Sequence, residues 1–258
     1  MSSWLPLQPN QPALTHTYQA TNASAMFVYR CFANEFFLVR ARDDTVNEQA
    51  RSALPAVGSR LQESQLPCIA DVIATEVELC IRLRDIPGAT EQALQHLQCL
   101  LDSWVASPSL GKQWSLPVYF STEDDWPALE AASALNREQI IERLLQLDLR
   151  LAMYGFLPGF AYLSGLPEEL HFERKHIPTT TTQPGSVAFG GRYLGIYSLP
   201  SPAGWNVVGV AGVSLMHGDR TPPLAMQPGD ALRIQRISAN ELSSLQAAAT
   251  TLQQWCGL

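Results

Sequence analysis

Charge is what this 258-residue chain has least of: Asp, Glu, Lys and Arg together make up 16% of it, against 46% hydrophobic residues. Soluble domains usually carry roughly 25% charged residues, so part of the surface is a candidate for cover by another protein. The charge that is present leans acidic, 24 carboxylates against 17 Lys and Arg for a net −7. That balance argues against nucleic acid or an anionic membrane as partner. The densest basic cluster, Arg174-Lys175-His176, is three residues long. Paired cysteines are missing too. Cysteines stand at 31, 68, 80, 99 and 256, odd in number and without CxxC spacing. This fits reduced thiols in a cytosolic protein better than a disulfide framework or a structural zinc. Cys31 and Cys80 sit inside apolar runs and read as core residues. The stretch MSSWLPLQPNQPALTHTYQA has no basic region followed by an apolar one, so no secretory signal is expected. No apolar run reaches the ~18 residues of a membrane span. No GxxxxGK[ST] phosphate loop occurs. Cytoplasmic localisation is the expectation.

Glycine, proline and aromatics, by contrast, crowd one segment, Gly155 to Trp205. Glycines stand at 155, 159, 165, 185, 190, 191, 195 and 204, with prolines at 158, 167, 178, 184, 200 and 202. Glycine serves where the backbone needs positive φ or a close approach; proline fixes φ and removes a donor. A chain turning so often around Phe156, Phe160, Tyr162, Tyr193, Tyr197 and Trp205 builds shaped loops, which tend to carry function. The plainer reading is a barrel whose tight corners use glycine and proline structurally.

Periodicity organises the rest. Residues 1–24 read as an extension. From Met26, MFVYRCF and FFLVRA form a strand hairpin. Asp43-Asp44-Thr45 opens a helix through Ala50, Ala53, Leu54 and Val57, which Pro55 should end or kink. Ile69 to Leu83 alternates as a strand pair or one long strand. A second helix from about Thr90 carries Ala93, Leu94, Leu97, Leu101 and Trp104 on one face. This suggests a small α+β, ferredoxin-like domain over 25–111. The linker Ser107-Pro108-Ser109-Leu110-Gly111 leads to a second domain, 112–258. There Trp114–Phe120 reads as a strand, and Asn136 with Gln139 as a capping box. Short strands follow at Ser186–Phe189, Tyr193–Tyr197, Asn206–Val210 and Ala231–Ile234, the last after the turn Pro228-Gly229-Asp230. Many short strands between turns argue for a barrel or sandwich. Ser238 and Glu241 cap one final helix bearing Leu242, Leu245, Ala249 and Leu252.

The ordered blocks GFLPGFAYL, an Arg-containing connection, PGSVAFGG, GIY and SPAGW resemble the allophanate hydrolase subunit 1 family. That family includes the B-type subunit of the bacterial ATP-dependent 5-oxoprolinase, a sporulation kinase inhibitor and a domain of urea carboxylases. A weaker likeness covers Met26 to Ile237. The resemblance implies a small α/β lobe followed by a cyclophilin-like β-barrel. It also implies a partner of the subunit 2 family, with an A-type subunit as a further candidate, and a pocket for a small amide or ring-closed amide. ATP would enter through the complex; no metal is expected.

On these residues the candidate site is assembled. Phe156, Pro158 and Phe160 form either a rigid pocket wall or an aromatic cluster under a loop. Arg174 suits capture of a carboxylate or phosphate; alone it would read as a solvated charge, but the family pattern has arginine here. His176 reads as a surface residue. Ser186 is not a G-x-S-x-G nucleophile, because Ala188 stands where the last glycine would be; it reads as a hydrogen-bonding residue. Gly190 and Gly191 would let the backbone approach a ligand and donate to developing oxyanion charge. Tyr193 and Tyr197 are further substrate contacts, and Arg192 points either to the pocket or to solvent. Trp205 floors a pocket or plugs the barrel end. No residue qualifies as general base.

Departures from the family pattern are also informative. Pro178-Thr179 replaces a proline-arginine pair, Tyr193-Leu194 a Gln-Thr, Val210-Ala211-Gly212 an Arg-Thr-Pro, and Leu144 a histidine, while SPGGW becomes SPAGW. Scaffold residues are kept and several polar groups are lost. Two readings follow: a subunit of a 5-oxoprolinase or allophanate-hydrolase-type complex acting on an amide C–N bond, or a non-catalytic regulatory protein that has lost polar pocket residues.

Overall fold

The computed structural model describes residues 27–32, 35–41, 48–106, 111–121, 125–218 and 223–257. The expected extension over 1–24, the helix opening at Asp43-Asp44-Thr45 and linker residues 107–110 lie outside them. The chain divides into two compact units, Met1–Leu110 and Gly111–Leu258. No helix among the described residues is long and apolar enough to cross a membrane.

The first unit is a four-stranded antiparallel sheet in the order β1-β2-β4-β3 with two helices: β1 Phe27–Phe32, β2 Phe36–Ala41, α1 Glu48–Glu63, β3 Ile69–Ala74, β4 Glu78–Leu83 and α2 Ala89–Ala106. With β4 lying between β2 and β3, the run β2-α1-β3 is a split βαβ unit of ferredoxin-like outline. Period-two burial decides the faces: Phe37, Val39, Leu79 and Ile81 join Leu54, Val57, Leu61 and Leu97 in one core. Cys80 alternates with the buried Leu79 and Ile81, so it is half-buried on the other face and not the core residue expected. Nor does Pro55 end α1, which runs through it for another two turns. An internal proline costs a helix about 3 kcal/mol. Packing of Leu54, Val57 and Leu61, all fully buried, outweighs it at roughly 1.5–3 kcal/mol per side chain. Gly58 lets the helix settle closely, since a Cβ there would stand 2.6 Å from the Ala74 Cβ.

The second unit is a closed seven-stranded barrel, so the α+β-then-barrel architecture read from the sequence is the one found. The barrel order is β10-β7-β6-β13-β5-β12-β9, built from β5 Gln113–Tyr119, β6 Leu149–Tyr154, β7 Ala161–Ser164, β9 Ser186–Gly190, β10 Tyr193–Ile196, β12 Asn206–Ala211 and β13 Ala231–Arg236. Neighbours are antiparallel except β13 and β5, which run parallel. A separate ribbon pairs β8 Thr179–Thr182 with β11 Ser201–Ala203. Helix α3 (Trp126–Ala132) was not apparent in the sequence, being only seven residues long. Helix α4 (Arg137–Leu145) carries the expected capping box: Gln139 N donates to Asn136 Oδ1 at 3.0 Å and Asn136 N to Gln139 Oε1 at 2.9 Å.

The single final helix is in fact two, α5 Ala239–Ala247 and α6 Leu252–Trp255. Ala249 turns left-handed at φ 48°, and Thr251 opens a fresh capping box with Gln254. The break swings Leu252 to full burial, with its N–H on Ser214 O at 3.2 Å.

Side chains from all seven strands, among them Leu116, Leu151, Leu163, Phe189, Leu194, Val208 and Leu232, join one hydrophobic cluster that fills the barrel. Leu144 of α4 is buried in the same cluster. Because successive residues of a strand point to opposite faces, Tyr162, Ala188, Tyr193 and Gly195 must point outward. They do, and they build a second cluster.

Candidate functional site

That outer cluster lies over β7, β10 and β9. Its members are Phe160, Ala188, Tyr197, Ala203 and Trp205, with Leu157, Tyr162, Tyr193 and Val207 packed against them. Glycine makes room for it. A Cβ on Gly190 would lie 2.1 Å from Trp205 Cδ2, and one on Gly195 would lie 2.6 Å from Trp205 Cζ3 and 2.7 Å from Phe160 Cζ. The indole therefore rests on bare backbone. Of the two readings of Trp205, floor or plug of the barrel end, the plug is set aside, since the indole packs on the outer face and fills the space over Gly190. Gly191 is a turn residue at φ 61°, and its N–H donates to Phe172 O at 2.7 Å; the oxyanion donor expected of it is occupied.

Phe160 is the hub. Its ring meets those of Tyr162 and Tyr197 at 4.8 Å each, Phe156 at 5.5 Å and Trp205 at 5.6 Å, all edge-to-face. Tyr162 in turn meets Trp205 and Tyr193 at 5.6 Å each. Such pairs contribute about 0.5–1.5 kcal/mol beyond their buried area, which makes the platform rigid. Its lip is the turn Gly155–Phe160. There Gly159 takes φ 76° and Phe156 φ 64°, the latter costing roughly 1–2 kcal/mol for a non-glycine residue. The Phe156 ring is left 64% exposed. Pro158 is exposed beside it, and its carbonyl accepts from Ser198 Oγ.

Arg174 stands over this floor with its guanidinium 5.8 Å from the Trp205 ring centroid. It has neither a carboxylate nor a hydrogen-bond partner among the described residues. Its backbone, however, is held on both sides. Glu173 O accepts from Asn206 Nδ2 at 2.8 Å, and Lys175 N donates to Gly204 O at 2.7 Å. Lys175 Nζ reaches Asp125 Oδ2 at 2.7 Å, an oxygen that also accepts from Val207 N at 2.8 Å. Two segments distant in sequence, 204–207 and Asp125, thus clamp the residues flanking Arg174 and leave its fork free. Lys175 is the cation the protein uses for structure; His176 is exposed.

Two phenols complete the site. The hydroxyls of Tyr162 and Tyr197 have no hydrogen-bond partner among the described residues, and both feel the positive charge of Arg174. Burial pushes the Tyr162 phenol up, while Arg174 acts in the opposite direction. Burial pushes Tyr197 up to about 12, reinforced by Tyr162 and opposed by Arg174. Both therefore stay protonated at neutral pH. Tyr193 is capped instead: Arg192 Nη2 donates to its hydroxyl at 2.7 Å, the guanidinium lying 4.9 Å from its ring.

Of the residues singled out from the sequence, Arg174, Tyr193, Tyr197, Phe156, Phe160 and Trp205 come together here. Ser186 does not join them. It is buried, and its hydroxyl donates to Gln183 O at 2.8 Å. Tyr162, counted among the segment's aromatics but not among the substrate contacts, joins the site, and two residues were missed: Asn206 and Asp125, whose clamping roles leave no sequence signature. Ala211, where the resemblance implies a threonine, lines a cleft of about 280 Å³ with Ile196, Tyr197, Leu215, His217 and Leu245; among the described residues no carboxylate, lysine or arginine borders it.

The chain also resembles known proteins in sequence and fold. The family described as carboxyltransferase domain, subdomain C and D, matches residues 27–226. The B-type subunit of 5-oxoprolinase from Haemophilus influenzae is 30% identical over 192 residues, 70% of this chain and 90% of the relative. Its counterpart from Escherichia coli O157:H7 is 29% identical over 170 residues, 65% and 78% of the two chains. Among solved structures, TTHA0988 superposes with a TM-score of 0.69 at 25% identity, covering 80% of this chain; the chain spans 40% of that protein's length. The Kluyveromyces lactis urea carboxylase shares the fold, with a TM-score of 0.59 at 14% identity over 88% of this chain and 23% of its own.

Proposed function

The chain belongs to the carboxyltransferase domain family, subdomains C and D, and on that premise we propose that it is the B-type subunit of a 5-oxoprolinase complex. In this reading it binds a small carboxylate-bearing cyclic amide on the outer face of its barrel. The observation that carries the proposal is the state of Arg174: backbone clamped, guanidinium over an indole, and no carboxylate partner among the described residues. A planar guanidinium so held can take a carboxylate with two parallel N–H donors. The buried aromatic cluster of Phe160 and Trp205 keeps water from one side of the guanidinium, which strengthens an ionic contact made there. Arg192 and Tyr193 wall the far side.

The C–N bond chemistry then belongs to the assembled complex with a subunit 2 family partner. No side chain of the platform is placed as a general base. For ATP this chain shows no GxxxxGK[ST] loop, and among the described residues no strand leads through a glycine-rich loop into a helix to cradle phosphates. Nucleotide handling is assigned to partner subunits.

The test is to co-purify the full chain with a subunit 2 family protein and follow ATP hydrolysis with and without 5-oxoproline. Oxoproline-dependent hydrolysis is expected. Arg174→Ala should raise the 5-oxoproline concentration needed by roughly 10- to 100-fold, the loss of one charge-assisted contact, with the thermal midpoint unchanged. A stable complex without oxoproline-dependent turnover overturns the reading in favour of a regulatory role.

A further inference from the structure

We propose that the hydroxyls of Tyr162 and Tyr197 form a paired donor site for the neutral carbonyl oxygen of a ligand whose carboxylate is held by Arg174. The inference rests on the reading of Arg174 given above and adds the residues that recognise the amide end.

Four tyrosines of the barrel unit allow the comparison. Tyr154 is buried, and its hydroxyl donates to Met226 O at 3.1 Å. The Tyr193 hydroxyl accepts from Arg192. Both are satisfied inside the protein, as buried polar groups normally are. Tyr162 and Tyr197 differ: neither hydroxyl has a protein partner among the described residues, and both reach solvent at the edge of the aromatic cluster. A phenol so placed can exchange its water for a ligand acceptor. Both rings flank Phe160 at the same 4.8 Å separation, and both phenols respond to Arg174 and to no other positive charge. The Arg174 guanidinium lies over Trp205, whose ring meets Tyr162 and Phe160 at 5.6 Å each, and Phe160 meets Tyr197 at 4.8 Å, so the three groups stand around one aromatic cluster.

The chemistry of the trio specifies the ligand. The guanidinium takes a carboxylate. Protonated phenols donate, and a carbonyl oxygen offers two lone pairs, one for each hydroxyl. A cation would be repelled by Arg174, and a purely apolar guest would leave both hydroxyls unmet. The class that fits carries a carboxylate and an amide or urea carbonyl on a small frame. Negative charge developing on that carbonyl oxygen would strengthen both phenol bonds, so the pair would also stabilise an oxyanion. Of the backbone donors expected for this role, the Gly191 N–H is engaged by Phe172 O and the space over Gly190 is filled by Trp205; the phenols take their place.

The experiment measures equilibrium binding of 5-oxoproline and of cyclopentanecarboxylate, which keeps ring and carboxylate but lacks the lactam. Calorimetry is done on the full chain in the complex with which it purifies, for wild type, Tyr162→Phe, Tyr197→Phe and the double variant. Each Phe substitution is expected to weaken 5-oxoproline by about 5- to 10-fold, the double by more than either, with cyclopentanecarboxylate unaffected. Thermal midpoints report folding independently. Wild-type-like binding of 5-oxoproline by the double variant overturns the proposal, and so does a parallel loss for both ligands, which would make the rings mere floor. If wild type binds cyclopentanecarboxylate and 5-oxoproline equally, the phenols read nothing and the proposal falls while Arg174 stands. If wild type binds neither, the reading of Arg174 fails and takes this inference with it.

Discussion

The same three strands, β7, β9 and β10, present two unlike faces. Inward, Leu163, Val187, Phe189, Leu194 and Ile196 fill the barrel with side chains that carry no polar atom. Outward, at the alternating positions, stand Tyr162, Ala188, Gly190, Tyr193 and Gly195, with Trp205 and Phe160 resting on the glycines and polar tips left over. A period of two lets one short strand serve stability on one side and recognition on the other. The inner face is specified by volume. The outer face is specified by where volume is withheld.

This contrast can be broken in a definite order. The largest effect on stability should come from Phe189→Ala, which empties a fully buried ring position and should lower unfolding free energy by about 3–5 kcal/mol, read by denaturant titration; ligand affinity of the folded fraction should hold. Next comes Gly190→Ala. One added methyl collides with the indole at 2.1 Å, so Trp205 must shift, at roughly 1–3 kcal/mol of overpacking. Its mark should be a changed tryptophan fluorescence together with lost ligand binding. If Gly190→Ala leaves both untouched, the outer face is not built on its glycines.

The smallest effect concerns the surface pair Arg236–Glu138, 2.7 Å apart and half-exposed. The Arg236 hydrogen bond holds the Glu138 carboxyl below its usual 4.5. A depressed carboxylate contributes stability that is present above its unfolded value and disappears as pH falls through the folded one. Arg236→Gln should therefore lower unfolding free energy slightly at pH 7, by less than ~1 kcal/mol after screening. The gap from wild type should close below pH 4 and shrink in high salt. A gap that persists at pH 3 would mean Arg236 acts by packing.

How much was legible beforehand follows from the range of each interaction. Both capping boxes foreseen, Asn136/Gln139 and Ser238/Glu241, are present, because a cap is satisfied within four residues. The hairpin of β1 and β2 and the pair β3 and β4 followed from alternation. Pro55 misled because a local rule was outweighed by contacts of Leu54 and Val57 with a sheet whose strands lie elsewhere in the sequence. Strands β6, β7, β8 and β11 went unseen: three are four residues or fewer, too short for a period to register. In the site, Arg174 and the aromatics stood out by composition and by resemblance. The roles of Gly190 and Ser186 did not, since nothing local says that Trp205 will lie on the one or that Gln183 O will engage the other.

By itself, then, the sequence determined the elements whose energetics close within a few residues, the order of an α+β unit and a barrel, and the aromatic and arginine stock from which a site could be made. Tertiary structure alone decided which face each aromatic takes, which arginine keeps a free fork, and which tyrosines go without partners. The reason is physical: Asn206, Asp125 and Gly204 act on the residues beside Arg174 only once barrel closure has brought β12 against them, and that contact exists nowhere in the one-dimensional order of the chain.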